Sequence, residues 1–462
     1  MEEPPRARVR ILHKPGASYN FPFYFEKPCI SLSEETMNRP VSRTVLDNGL
    51  TVVLKEMSHA PVICFMVWYR VGSRNERKGI TGISHWVEHL MFGGTQTFAG
   101  GEFDRLISRE GGHWNAFTWL DYTVYIETVP AEQVDLCLRL ESDRMVNTIM
   151  GPESVELERS VILSERAMYE NEPRFRLNEQ LTATAFHAHP YGHEVIGNEV
   201  DLRSMTRDDL YGYYRTHYVP NNAVVVAVGD FQSKEMLSRI ANFFATIPQG
   251  EPVVLATIEE PMQRSERRIT VRGPGNTAYL TYAYRAPEAA HPDYLALTLF
   301  NAAFTGGSSL GMFAGGGSNR SSRLYKAMVN TELAAGAGGS MAPTMDPFLY
   351  TIDVVLRSGR MLPEVEAALD AELERVTSSP ITRRELDKAL KRAKAQFVMA
   401  GESISGQAHL LGLAESTVGD CDWYETILEK LAKIRVDDLE RVCQKYLNKQ
   451  NRTVGWYQPL ER

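Results

Sequence analysis

Cysteine is scarce in this chain, and what there is does not pair. The 462 residues include five, Cys29, Cys64, Cys137, Cys421 and Cys443, odd in number and never in a CxxC step. That excludes a disulfide framework and a thiolate zinc site, and it fits a reducing compartment. No apolar run approaches the roughly 18 residues that cross a bilayer, so no membrane span is expected. A charged-then-apolar leader is also missing, which argues against secretion and for a cytoplasmic protein. Mitochondrial matrix is the alternative, but residues 1–36, with Arg6, Arg8 and Arg10, also carry Glu2, Glu3 and several prolines and read as an ordinary N-terminal extension. Basic excess is absent too. With a formal net charge of −8, no nucleic acid is expected as a partner.

Hydrophobic content of 43% and charged content of 23% are ordinary for a globular protein. The length allows two or three domains with full cores. We expect an N-terminal extension over 1–36, a first domain over 37–247, a linker over 248–266 and a second domain over 267–462. The linker assignment rests on prolines and charges between 246 and 266.

The densest chemistry lies in Gly82-Ile-Ser-His-Trp-Val-Glu-His-Leu90. On a helix His85, Glu88 and His89 share one face. Two neutral imidazoles one turn apart can hold one Zn2+, and a carboxylate not needed as a ligand can take a proton from water activated there. This is the HxxEH order of the inverted zincins. With 11 histidines in the chain, chance alone would produce the motif about once in fifty such sequences. A third ligand is therefore sought downstream. Residues 152–168 open with Pro after Gly and keep apolar residues at helical spacing, and they set Glu158 and Glu165 seven apart on one face.

These residues resemble the pitrilysin/insulinase-type inverted zincins, in the half-length branch related to the mitochondrial processing peptidase. In that family the third ligand is a Glu about 76 residues beyond the second His, and Glu165 stands 76 residues beyond His89. The resemblance implies Zn2+ on His85, His89 and Glu165, with Glu88 as the catalytic base that passes its proton to the leaving amine. Glu158 is implied as a second catalytic-site acid supporting the metal from the same helix. The implied fold is α+β, two structurally repeated α/β-sandwich domains of the processing-peptidase type, each a mixed sheet covered by helices. Gly111-Gly-His-Trp-Asn-Ala-Phe-Thr118 is similar to the family's edge-strand segment, which makes Asn115 and Ala116 the substrate-binding candidates. A buried turn and a small core residue are the plain alternative for those two.

Other features have plainer readings. Asp47-Asn-Gly49 between β-rich runs predicts a hairpin over 43–56 with a type I′ turn. His187, His189 and His193 match the family's HPYG loop and are read as hydrogen-bonding residues. Residues 305–322 are glycine-rich, with no lysine in P-loop spacing, and read as a flexible linker or as the counterpart of a substrate-contacting processing-peptidase loop. Aligning Gly306-Gly307 with Gly93-Gly94 puts Thr298, Asn301 and Ala302 where the first half has His85, Glu88 and His89, so one zinc site per chain is expected.

One departure matters. After Ser321-Ser-Arg-Leu-Tyr325 active relatives carry an Arg and, seven residues later, a Tyr that reach the substrate carbonyl. Here Val329 and Gly336 stand instead. The expectation is a zinc endopeptidase hydrolysing peptides or unfolded segments, in a heterodimer whose partner subunit supplies the Arg/Tyr pair. A homodimer using Arg320 or Arg323 is the other arrangement, and a non-catalytic assembly subunit of the same fold is the alternative function.

Overall fold

A computed structural model describes residues 40–253, 258–307 and 320–460. The expectations for residues 1–36 and for most of the glycine-rich stretch fall outside the described residues.

The first sheet joins β1 (Ser42–Val45), β2 (Thr51–Glu56), β3 (Val62–Tyr69), β4 (His113–Thr118), β5 (Thr123–Pro130) and β6 (Ala223–Gly229) in the order β1-β2-β6-β3-β5-β4. β2 and β6 run parallel and the other neighbours antiparallel. The β3 run VICFMVWY and the β6 run AVVVAVG are apolar on both faces, as central strands buried on both sides must be. Helices α1 (Ile83–Leu90), α2 (Glu102–Arg109), α3 (Val134–Asn147), α4 (Pro152–Glu170), α5 (Pro173–Ala185), α6 (Glu199–Ser204), α7 (Arg207–His217) and α8 (Ser233–Phe244) complete this half.

The hairpin forms where expected, but its turn differs. Only Gly49 has positive φ, 84°, while a type I′ turn needs it at Asn48 as well. The Gly49 amide donates to Leu46 O and the Leu46 amide to Leu50 O, at 2.8 and 2.9 Å, a longer loop with glycine in the left-handed position. Asn48 is held by its side chain, whose Nδ2 donates to Phe244 O and Ile247 O at 2.8 and 3.0 Å. That tertiary anchor overrides the local turn preference.

The second sheet repeats the first. β7 (Arg267–Gly273), β8 (Tyr279–Ala286), β9 (Ala334–Met341), β10 (Phe348–Leu356) and β11 (Arg452–Pro459) lie in the order β7-β11-β8-β10-β9. β7 and β11 are the one parallel pair. Strand for strand this is β2-β6-β3-β5-β4. Its helices are α9 (Pro292–Phe304), α10 (Arg323–Met328), α11 (Leu362–Ser378), α12 (Arg383–Ala400), α13 (Ile404–Thr417), α14 (Asp422–Ala432) and α15 (Val436–Tyr446). α9 follows β8 as α1 follows β3. Within it Asn301 donates to Gly339 O at 3.1 Å and accepts from Thr305 Oγ1 and Tyr350 Oη at 2.8 and 3.0 Å. The position matching Glu88 is thus a buried structural amide.

The halves exchange a helix. α5 packs on β7 and β11 of the second sheet, and α13 packs on β3 and β6 of the first. Gly455 on β11 makes room for Leu177 and Leu181, and Gly412 on α13 lies against the Trp68 ring. Glu415 of α13, its side chain fully buried, meets Arg43 and Arg70 of the first half at 2.9 and 3.2 Å. A Cβ at position 412 would stand 2.2 Å from Trp68 Cε2 and Nε1. Gly412→Ala should therefore cost about 1–3 kcal/mol in urea denaturation, with a change in Trp68 emission.

Candidate metal centre

α1 presents its two histidines because its other face is committed to the core. Ile83, Trp86, Val87 and Leu90 are buried in the first-half core, which leaves His85 and His89 one turn apart on the remaining face. Their rings meet edge-on, with centroids 4.6 Å apart. The helix starts at Gly82, in the left-handed region at φ 88°, where a Cβ would stand 2.5 Å from Ile196 O. Its first amides are capped at a distance: Glu76 accepts from Gly82 N and Ser84 N at 2.7 and 2.9 Å. His193 Nε2 lies 2.8 Å from the same carboxylate.

α4 crosses this face. The Arg159 guanidinium stacks 4.7 Å over the Trp86 ring, holding α4 on α1. Glu165 then points between the imidazoles, with Oε2 3.8 Å from His85 Nε2 and 3.7 Å from His89 Nε2. The three ligand atoms lie within 4.8 Å of one another, and no other such group exists among the described residues. Glu165 Oε1 accepts from Tyr169 Oη at 3.1 Å, whereas buried Oε2 has no hydrogen-bond partner among the described residues. A buried carboxylate oxygen without a donor is costly. Two imidazole nitrogens and one carboxylate oxygen are the donor set of catalytic zinc sites, and one shared cation would satisfy all three. The residues fit the metal.

Glu158 does not join that group. Its Oε2 sits 3.1 Å from His89 Nδ1, on the far side of the ring, where it fixes the tautomer that turns Nε2 toward Glu165. Glu88 stands beside the three ligands and accepts from Thr118 Oγ1 at 2.6 Å. Burial pushes its carboxyl up to about 7, against His89 and Thr118, which pull it down, and with Glu165 adding to the rise. A group so poised can take up and release a proton near neutrality.

Thr118 and Glu76 escaped the sequence reading. Thr118 sat unremarked in the segment that names Asn115 and Ala116, and Glu76 lies in a polar loop with no periodicity to mark it.

β4 is the outer strand of the sheet, with β5 as its one partner among the described residues. Asn115 is exposed on it, its Oδ1 accepting from the Ala116 amide at 3.0 Å. Ala116 is half-buried two residues before Thr118, on the same side of the strand. Neither belongs to the three-residue donor group. Of the loop histidines, His189 Nε2 lies 3.1 Å from Asp346 Oδ2 and His193 holds Glu76, so these two are hydrogen-bonding residues.

Residues 51–199 match the family model described as insulinase (peptidase family M16), and residues 204–393 match the peptidase M16 inactive domain. The zinc protease PqqE of Helicobacter pylori is 30% identical over 427 residues, covering 90% of this chain and 92% of that protein. The chain belongs to peptidase family M16. Another M16 relative, the beta subunit of the mitochondrial-processing peptidase of Lentinula edodes, is 26% identical over 87% of each chain. The crystal structure of a protease from Helicobacter pylori superposes with a TM-score of 0.85 at 27% identity, covering 91% of this M16 chain and all of that one. A peptidase M16 inactive domain from Pseudomonas fluorescens shares the fold, with a TM-score of 0.81 at 17% identity.

Two outcomes follow for metal binding. Glu158→Ala should weaken zinc binding about 10- to 100-fold in competition with a chromophoric chelator, because His89 loses the group that orients it. Burial opposes charge on His89, but Glu158, followed by Glu88 and Glu165, outweighs it and raises the imidazolium above its ordinary 6.5. A metal must displace that proton. Affinity should therefore tighten with rising pH, by up to about tenfold per pH unit, and level off only above 6.5, once His89 is neutral.

Proposed function

We propose that this M16 chain is a zinc-dependent endopeptidase acting on peptides or unfolded segments, and that it is the catalytic subunit of a heterodimer. The observation that carries the reading is Glu165 Oε2, without a donor among the described residues, facing two imidazole nitrogens, with a proton-poised Glu88 beside it. His85 and His89 through Nε2 and Glu165 through Oε2 would hold the zinc. When bound, zinc supplies a Lewis acid that polarises a carbonyl and makes water acidic near neutral pH. Glu88 takes a proton from the attacking water and delivers it to the leaving amine, while Thr118 fixes which carboxylate oxygen faces the reaction. β4, with Asn115 and Ala116, offers main-chain groups to an extended peptide added at the sheet edge. Such binding is tolerant of sequence.

The heterodimer rests on missing donors. Val329 and Gly336 have no side-chain donor, and a carbonyl becoming an oxyanion loses about 2.7–4 kcal/mol of stabilisation for each donor removed. The heterodimer is supported over a homodimer using Arg323 because Arg323 is held by Glu385 at 2.7 and 2.8 Å and by Ser379 O and Pro380 O at 2.6 and 2.9 Å. A second subunit would bring the pair. A cytoplasmic setting is supported by the four described cysteines, all buried free thiols, and no described helix is long and apolar enough to cross a membrane.

Glu88→Gln tests the chemistry. It should keep one zinc per chain by metal analysis and lose peptide hydrolysis by about 100-fold or more in the presence of the partner. Wild-type chain without stoichiometric zinc would favour the assembly-subunit reading. Strong turnover by a homodimer of this chain alone would reject the partner requirement.

A further inference from the structure

The metal helix is gripped at its N-terminus by a polar assembly that begins in the other half of the molecule. The turn joining β9 to β10 reaches into a socket on the first half. Asp346 Oδ2 accepts from Arg74 Nε at 2.5 Å and lies 3.1 Å from His189 Nε2. The neighbouring Met345 amide donates to Asp121 Oδ2 at 2.9 Å. Tyr191 Oη closes the socket, donating to Asp121 Oδ1 at 2.5 Å while the Asp346 amide donates to it at 3.3 Å. Burial pushes the Asp346 carboxyl up, yet His189 and Arg74 hold it at about 2.

Both walls of this socket continue into the clamp on α1. Two residues beyond Arg74 is Glu76, fully buried, which accepts from the Gly82 and Ser84 amides; four residues beyond His189 is His193, which holds Glu76 at 2.8 Å. The first wall is stiff: Ser73 N and Arg74 N donate to Trp119 O and Leu120 O at 3.2 and 2.8 Å, and a Cβ on Gly72 would stand 2.2 Å from Trp119 O. The second is a 3-10 turn capped by His189, whose Nδ1 accepts from the Tyr191 amide at 3.1 Å. Neither wall contains a metal ligand. Their shared endpoint is the pair of amides whose direction sets where His85 and His89 point.

We propose that Glu76 and Asp346 are positioning residues for the metal centre, and that the seating of the second half on the first is transmitted to the zinc helix through Arg74 and His189 to Glu76 and His193. The inference rests on the zinc reading above, but the transmission itself concerns α1 and exists with or without metal. An amide pair satisfied by a buried carboxylate has one orientation; freed, the first turn of α1 frays and the imidazoles lose their mutual geometry.

The test compares two second-half variants of the full chain. Asp346→Asn weakens the socket. Asp293→Asn weakens an equally well-paired acid whose partners Arg441, Lys445 and Tyr446, at 2.6–2.8 Å, all lie on α15 of the second half. At matched thermal stability, Asp346→Asn should weaken zinc binding about 2- to 30-fold, in competition with a chelator, and Asp293→Asn should leave it unchanged. Hydrogen exchange on the metal-free proteins should show faster exchange at the Gly82 and Ser84 amides in Asp346→Asn only. Glu76→Gln, which sets an amide N–H against one of the two donors, should weaken zinc about tenfold and accelerate the same amides. Equal zinc affinities and equal exchange in the two Asp variants would overturn the transmission. A wild-type chain that binds no zinc would instead overturn the functional reading and leave the exchange comparison to decide this one.

Discussion

A carboxylate oxygen buried between two imidazoles, at 3.7 and 3.8 Å and without a proton donor among the described residues, is the constraint on which the rest of the first half depends. Those separations are too long for hydrogen bonds and short enough to share one cation. Left alone, such an oxygen would rotate toward solvent or draw a donor to itself. It stays because Tyr169 holds the other oxygen and because Arg159, stacked on Trp86 and donating to Met205 O at 2.9 Å, pins α4 against α1. Electrostatic cost is concentrated at one point and opposed by packing around it, an arrangement characteristic of sites that bind an ion.

Around that point the carboxylates divide their work by environment. Glu165 lacks a donor on one oxygen, Glu158 faces His89 Nδ1, and Glu88 faces a hydroxyl. The hydroxyl is itself held: Thr118 Oγ1 lies 3.1 Å from Thr123 Oγ1, which donates to Val71 O at 2.9 Å. On the proposed reading one acid would coordinate, one orient and one handle protons, although all three are the same residue type around the same two rings. Helix spacing alone cannot assign these roles, since Glu158 and Glu165 share a face of α4. The assignment comes from which ring nitrogen each acid meets.

Much of this was legible in the sequence because it is local. HxxEH is a statement about one helical turn, and the apolar runs of β3 and β6 state their own burial. The mixed sheet, its repeat and the acids of α4 follow from such patterns and from the resemblance that the motif brings with it. What could not be read is what depends on distant partners. The Asn48-Gly49 turn takes its form from the carbonyls of Phe244 and Ile247, nearly 200 residues away. The exchange of α5 and α13 between sheets leaves no periodic trace, since an apolar helix face does not say which sheet it covers. Glu76 is invisible for a related reason: a loop acid that caps a helix six residues on looks like any solvated charge until the fold buries it.

The repeat sets the two halves side by side at one matching position. Both sheets hold a helix after matching strands, β3 and β8, and both bury a polar residue at its matching position. In the first half that residue is Glu88, which accepts from Thr118 and whose carboxyl burial pushes up to about 7. In the second it is Asn301, with its amide and carbonyl both engaged by Gly339, Thr305 and Tyr350. An amide has no proton to exchange near neutrality, so it can be fully satisfied and serve packing. A catalytic acid cannot be satisfied in that way without losing its reactivity. The second half, relieved of that demand, is instead joined to the first through Glu415 and through Asp346, and the latter contact ends two residues from the clamp on the metal helix.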